Sequence, residues 1–307
     1  MGKPFLSIED QVALLERRGV VCNGNTGNVL MREGYYRIVN GYKEPFIDGV
    51  ASADAGDDRY KPGTTFDDLY ALFLFDRALR ERTFHCTLKA EALVRTACSH
   101  LFAIFHEGAE DYLVQDSFAS EAEYRASGLK RYRDDMQTLQ HLLYDKSRNS
   151  KRAPIAHYRE KHGEVPIWIL ACDLTFGNVE HFFNLMKPAE QTGVCKTIAK
   201  ATGHLGGALG YYSPAQARAD INTVVKVRNM CAHDERLYCA RIGARKNTNY
   251  LGFLRCVRHL VTDEDFDELI SSVVGDMKVY SDRSETVAHV IEKMGITTAT
   301  GGAKAKK

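Results

Sequence analysis

From Thr65 to about His106, apolar side chains return at helical spacing: Leu69, Leu72, Phe73, Leu79, Phe84, Leu88, Ala92, Val94, Leu101 and Phe105. Such a run specifies one helix, long enough to bend or break. Thr65 stands where a cap belongs, with Asp68 three residues on at the capping-box position. Nowhere does the chain show the strict apolar–polar alternation of a half-buried strand. The expected fold class is therefore all-α.

Shorter helices are marked by their ends. Ser7 and Asp10 bracket a start that Gly19 closes, with Ile8, Val12 and Leu15 on one face. Residues 22–30, rich in Asn and Gly, and 49–64, rich in Gly and Asp, read as loops. Between them, from Tyr35 to Phe46, periodicity does not decide between helix and strand. Those aromatics suit packing onto a core more than stacking on RNA bases. Pro166 opens a helix holding Trp168, a core residue by this reading; Gly177 breaks it, and Asn178 caps the next. Three more helices are signalled near 250–261, 263–274 and 284–294, with Thr262 as a cap and Gly295 as a stop. Lys246 to Asn249 reads as a turn, and 297–307 as a basic, disordered tail.

The best-marked helix starts at Ser213-Pro214 with Gln216 three residues after the serine, a capping box with proline at the first helical position. No further proline or glycine follows until past Asp234. Steps of about 100° per residue sort its side chains. Asn222, Lys226, Asn229 and His233 form a polar stripe, while Ile221, Val224, Val225, Val227, Cys231 and Ala232 cover the rest. Arg228 falls inside the apolar sector, so it needs an acidic partner or must reach out. Asn229 and His233 are i,i+4 neighbours, and the amide can steady the imidazole. Arg228 and His233 diverge by about 140° on an ideal helix, so one chain does not bring them together without distortion. The plain alternative is an arginine in a structural ion pair and a histidine favoured at a helix end by the dipole.

Arg228-Asn229, Ala232-His233 and Arg236-Leu237-Tyr238 together resemble the motif of the Abi-like abortive-infection proteins. These belong to the HEPN superfamily, whose signature is an arginine, four to six residues, then a histidine. Three further stretches fit the same family in order. They are Lys3-Pro4-Phe5-Leu6 with Gln11, Leu15 and Arg18-Gly19; Gly34-Tyr35-Tyr36-Arg37 through Asn40-Gly41-Tyr42 to Pro45-Phe46; and His157-Tyr158 with Pro166-Ile167-Trp168 and Phe176-Gly177. The resemblance implies a HEPN-like helical bundle over 63–296, with a family-specific segment at 1–62 and additional C-terminal helices. It implies a bacterial, dimeric, RNA-cutting defence protein, regulated in some members by a small non-coding RNA. It also implies that acidic and basic residues of the long helix line the same bundle. Glu91 or Asp76 is then the expected partner of Arg228, and Arg95, four residues after Glu91, a supporting charge.

Composition neither forces nor forbids an RNA partner. The chain of 307 residues carries a formal charge of only +1, so RNA contact requires a local patch. Lys146, Arg148, Lys151 and Arg152, grouped around Asn149 and Ser150, are the best cluster for phosphates. Lys226, Arg236 and Tyr238, beside the motif, are further RNA-contact candidates. The eight cysteines have no Cys-x-x-Cys spacing, so no zinc site is signalled. With no signal peptide and no apolar run of about 20 residues, the expectation is a cytoplasmic protein with reduced, mostly buried thiols and no membrane span. The glycines of 203–210 lack the P-loop Lys-Ser/Thr, and no other cofactor is called for.

RNA carries its own nucleophile, the 2′-OH. Cleavage needs that hydroxyl deprotonated, the leaving 5′-oxygen protonated and the phosphate charge stabilised. His233 suits the proton work, Arg228 the phosphate clamp, and Asn229 the orientation of the imidazole or a phosphate contact. A two-fold dimer would supply two of each. The competing readings are a non-catalytic RNA-binding or sensing module and a structural helical adaptor.

Overall fold

The computed structural model describes residues 5–207, 209–243 and 248–296. The basic tail at 297–307, and Lys246 and Asn247 of the expected turn, lie outside the described residues. The protein is all-α: among the described residues the only β-type pairings are three isolated bridges. No helix among them is long and apolar enough to cross a membrane. The chain divides into two compact units. Of the described residues, one holds those up to Arg82, Asp234–Ala240 and those from Ile270 to Ile296; the other holds those from Thr83 to His233 and from Arg241 to Leu269.

In the first unit, Ser7 caps α1 (Ile8–Arg17) by accepting from the Asp10 N–H at 3.1 Å. Gly19 then reverses the chain at φ 96°. The expected loop at 22–30 is instead largely α2 (Thr26–Glu33). Thr26, Val29 and Leu30 are buried there, an apolar face that the surrounding Asn and Gly disguise. Tyr36–Asn40 form a π-type turn, which settles the ambiguous aromatic stretch as helical, with Tyr42 buried and Tyr36 exposed. The expected loop at 49–64 contains α3 (Gly49–Ala55), whose first turn is satisfied by Asp48 Oδ1 accepting from Val50 and Ala51 at 3.1 and 3.0 Å. The long helix α4 runs unbroken over Phe66–Phe105. Its capping box forms as expected: Asp68 N–H donates to Thr65 Oγ1 at 3.1 Å and Thr65 N–H to Asp68 Oδ2 at 2.8 Å. This unit's core centres on Phe46, Phe66, Phe73 and Phe75.

In the second unit, α5 (Glu121–Ala126), α6 (Tyr132–Asn149) and α7 (Ala153–His162) lead to α8, only four residues long (Ile167–Leu170). In so short a helix one side alone faces inward. Ile167 and Leu170 take it, and Trp168, expected in the core, is 51% exposed. Gly177 does not break a helix: Thr175 caps α9 (Phe176–Leu185) in a box with Asn178, and Gly177 lies in its first turn. A helix not signalled by the sequence pattern, α10 (Pro188–Ala201), follows. The motif helix α11 (Pro214–Ala232) packs against α9, α10 and α12 (Tyr250–Val257). Phe102, Phe118 and Phe182 meet with ring centroids 5.1–5.5 Å apart, a geometry that adds to simple area burial. The expected helix at 263–274 is longer, α13 (Asp263–Ser281), whose residues from Ile270 belong to the first unit, as does α14 (Glu285–Glu292), which ends before Gly295 at φ 68°. Expected mostly buried, the cysteines divide: Cys86, Cys98 and Cys195 are buried, Cys172 and Cys239 exposed.

Candidate active site

Helix α11 is fixed before its motif begins. Ser213 Oγ accepts from the Gln216 N–H at 3.2 Å, but the Gln216 amide donates forward to Asp220 Oδ1 at 2.7 Å, so only half of the expected capping box is made. Ile221, Val224 and Val227 are wholly buried. On the polar stripe, Asn222 donates to Glu180 Oε1 at 2.5 Å and Lys226 donates to Asn222 Oδ1 at 2.6 Å. Lys226 is thus engaged along its own helix.

Arg228 occupies the edge of the apolar sector with its side chain 27% exposed. Its Nε donates to Glu91 Oε2 at 3.3 Å, and its guanidinium carbon stands 5.5 Å from the centre of the Phe84 ring. The Glu91 side chain is 7% exposed and its other oxygen is held by Arg95. Phe84, Glu91 and Arg95 recur at i, i+7 and i+11 of α4, one face of that helix. That periodicity is the signal by which Phe84, absent from the sequence candidates, could have been added. One carboxylate therefore serves two guanidiniums, and the cluster keeps a surplus positive charge.

Asn229 is exposed, and its carboxamide oxygen accepts from Arg228 Nη1 at 3.4 Å. It does not hold the imidazole of His233, although the His233 backbone N–H donates to the Asn229 carbonyl at 2.9 Å. His233 is the C-cap of α11, with φ −99° and ψ 11°, one residue past the last helical position. Its imidazole is exposed and has no hydrogen-bond partner among the described residues.

Three other sequence candidates lie in the first unit and have structural partners there. Asp76 is fully buried. It accepts from Arg80 at 2.6 Å, Tyr42 at 2.7 Å and the backbone N–H groups of Leu237 and Tyr238 at 3.0 and 2.7 Å. Burial pushes its carboxyl pKa up, against the opposing pull of Arg80 and these donors. Asp76 is accordingly not the partner of Arg228. Tyr238 stacks on Tyr42 at 5.8 Å, and Arg236 donates to the Gly41 carbonyl at 2.8 Å, so both secure the chain after the motif. Asp234 sits at φ 60°, the one non-glycine residue with positive φ among those described. Ion pairs to Arg80, at 2.6 Å, and to Arg37 hold it there against a strain of roughly 1–3 kcal/mol.

Three of the four cations of the expected phosphate patch are ion-paired, two of them to one carboxylate. Lys146 and Arg152 both pair with Asp173, at 3.2 and 2.6 Å, and Ser150 donates to it at 2.9 Å. Burial alone would raise the Asp173 pKa, but Ser150, Lys146 and Arg152 together hold it below the usual carboxylate range. Both terminal nitrogens of Arg148 bond Glu110, at 2.8 and 2.6 Å. Lys151 alone of the four stays exposed without such a partner among the described residues. No group of three or more His, Cys, Asp or Glu side chains able to hold a metal occurs among the described residues.

A family model described as Abi-like protein matches residues 28–239. That span contains Glu91, Arg95, Arg228, Asn229 and His233. Neither a curated protein nor a solved structure matches the chain.

Proposed function

This chain belongs to the Abi-like protein family, which connects it to abortive infection, and we propose that it acts there as a metal-independent endoribonuclease of the HEPN type. The reading is carried above all by the unequal charge around Glu91. Two guanidiniums share one buried carboxylate, and the surplus charge, with Arg228 still part-exposed, suits an anion such as a phosphodiester. Five residues on, an exposed imidazole has no partner to occupy it.

In the proposed step, one His233 imidazole takes the proton of the 2′-OH. The 2′-oxygen then attacks the adjacent phosphorus, the bond to the 5′-oxygen breaks, and a second His233, entering as the imidazolium, gives its proton to that oxygen. The products are a 2′,3′-cyclic phosphate and a 5′-hydroxyl. Arg228 holds the phosphate oxygens as charge builds, and Glu91 and Arg95 set its posture. Because each chain carries one such histidine, the working form is a homodimer with His233 facing His233. A monomer that cleaves RNA at undiminished rate would refute that part.

The experiment is incubation of end-labelled RNA with the purified protein in chelator, followed by analysis of the 3′ ends. The expected result is cyclic phosphate, with cutting reduced about 10²- to 10⁴-fold by His233→Ala, the range of general acid–base catalysis. Equal cutting by the variant overturns the assignment. Intact but retarded RNA, with no cleavage by either protein, favours a non-catalytic binding module.

A further inference from the structure

Away from the motif, the second unit holds a cleft of about 440 Å³ between α6 and the turn Gln115–Ser117. That is the size of pockets that take small organic ligands, about 300–1,000 Å³. Helical spacing supplies one wall: Arg133, Gln137 and His141 stand at i, i+4 and i+8 of α6, with Tyr132, Met136 and Gln140 in the adjoining row. Tyr132 and Met136 are buried and form an apolar base. The Tyr132 hydroxyl donates to the Ala119 carbonyl at 2.9 Å, which fixes its ring. Gln115 faces them from the turn. The carboxamides of Gln115, Gln137 and Gln140 have no hydrogen-bond partner among the described residues. Arg133 is 88% exposed, and its carboxylate neighbour, Glu121, is 4.0 Å away, beyond hydrogen-bond reach.

We propose that this cleft binds an adenine nucleotide, free or as an unpaired base within RNA. A carboxamide presents a donor beside an acceptor, the complement of the adenine N6 amino group and N7. A carboxylate, which would accept from cytosine N4, does not line the cleft. An apolar base with one aromatic ring suits a nucleobase, which is readily stacked when unpaired. Arg133, exposed at the rim and only loosely paired with Glu121, reaches a phosphate. The site goes beyond the nuclease reading and does not depend on it.

The test is equilibrium binding by the full chain carrying His233→Ala, so that RNA stays intact whichever reading of the motif holds. The probes are adenosine monophosphate, a short oligoadenylate and an oligocytidylate of equal length. Oligoadenylate should bind at least about fivefold more tightly than oligocytidylate, the low end of discrimination by one paired side chain. Gln137→Ala with Gln140→Ala should weaken adenine binding about tenfold or more, and Gln137→Glu should shift preference toward cytosine. Binding of the monophosphate as tightly as the oligomer identifies a free nucleotide as the ligand; binding of the oligomer alone identifies RNA. No preference for adenine, or unchanged binding by the double variant, overturns the proposal.

Discussion

Two clusters in this molecule use the same chemistry, carboxylates against guanidiniums, with different accounting. Around Asp76 in the first unit, two carboxylates, Asp76 and Asp234, face two guanidiniums, Arg80 and Arg37, and two backbone N–H groups complete the coordination. Around Glu91 in the second, one carboxylate faces two guanidiniums, and both remain 27% exposed. The first is a closed structural network, in which every charge has its complement. The second lacks one anion, which a phosphodiester would supply on the function proposed above. Sequence spacing alone treats the two alike, because Asp76 to Arg80 and Glu91 to Arg95 are both i,i+4 pairs.

The largest effect expected from this contrast is on stability. Asp76→Ala leaves the Arg80 guanidinium, 5% exposed, without its buried carboxylate. Denaturant titration should show a loss of about 3–5 kcal/mol, the cost of stranding one half of a buried pair. A loss below about 1 kcal/mol, the range of exposed pairs, would erase the distinction between the clusters. Glu91→Gln should cost less, about 1–3 kcal/mol, because its cations can turn to solvent. It should also act with opposite signs on binding and turnover. Two released guanidiniums raise RNA affinity at low salt, while cleavage falls because Arg228 is no longer held. Weaker RNA binding by Glu91→Gln would contradict the surplus-charge argument.

What could be read from the sequence follows the range of the forces involved. The all-α class, the capping box at Thr65 and Asp68 and the uninterrupted α4 are local matters, set by spacing within one or two turns. Helical periodicity likewise put Arg228 in an apolar sector, where it needed either a carboxylate or a way out. Whether that carboxylate was Glu91 or Asp76 depended on packing across well over a hundred residues, which no local pattern encodes. Trp168 misled for a related reason: a four-residue helix has too little face to bury all its apolar residues. α2 and α3 were hidden because their helical segments are short and sit among Asn, Gly and Asp, residues that also serve as caps. The ion pairing at 146–152 was invisible because Asp173 and Glu110 lie far from it in sequence.

A smaller test concerns a carboxylate of the first unit that, like Glu91, faces two guanidiniums. In the first unit Arg77 holds the Glu33 carboxyl below its ordinary range, burial opposes this, and Arg32 adds to the lowering. A carboxyl whose folded pKa is depressed stabilises the fold above its ordinary value and ceases to do so as pH falls through the lowered one. Glu33→Gln should therefore lower the neutral plateau of a stability–pH curve and flatten its acid limb, while changing stability below the lowered pKa little. An unchanged acid limb would mean that this pair, unlike the Asp76 network, contributes nothing measurable.

The smallest effect concerns the patch between Lys146 and Arg152. If an ion pair closed one to one keeps its cation from RNA, then Arg148, bonded through both terminal nitrogens to Glu110, makes no phosphate contact. Arg148→Ala should leave the salt dependence of RNA binding unchanged. Lys151, exposed and without a carboxylate, is the member with no ion pair to give up before it touches a phosphate. Its substitution by alanine should reduce the slope of log affinity against log salt by about 0.7, the share of one single-stranded phosphate contact. Measuring both variants against the parent over a salt series decides the matter. A drop for Arg148→Ala with none for Lys151→Ala would show that RNA displaces Glu110, and that a closed ion pair does not by itself exclude an anion.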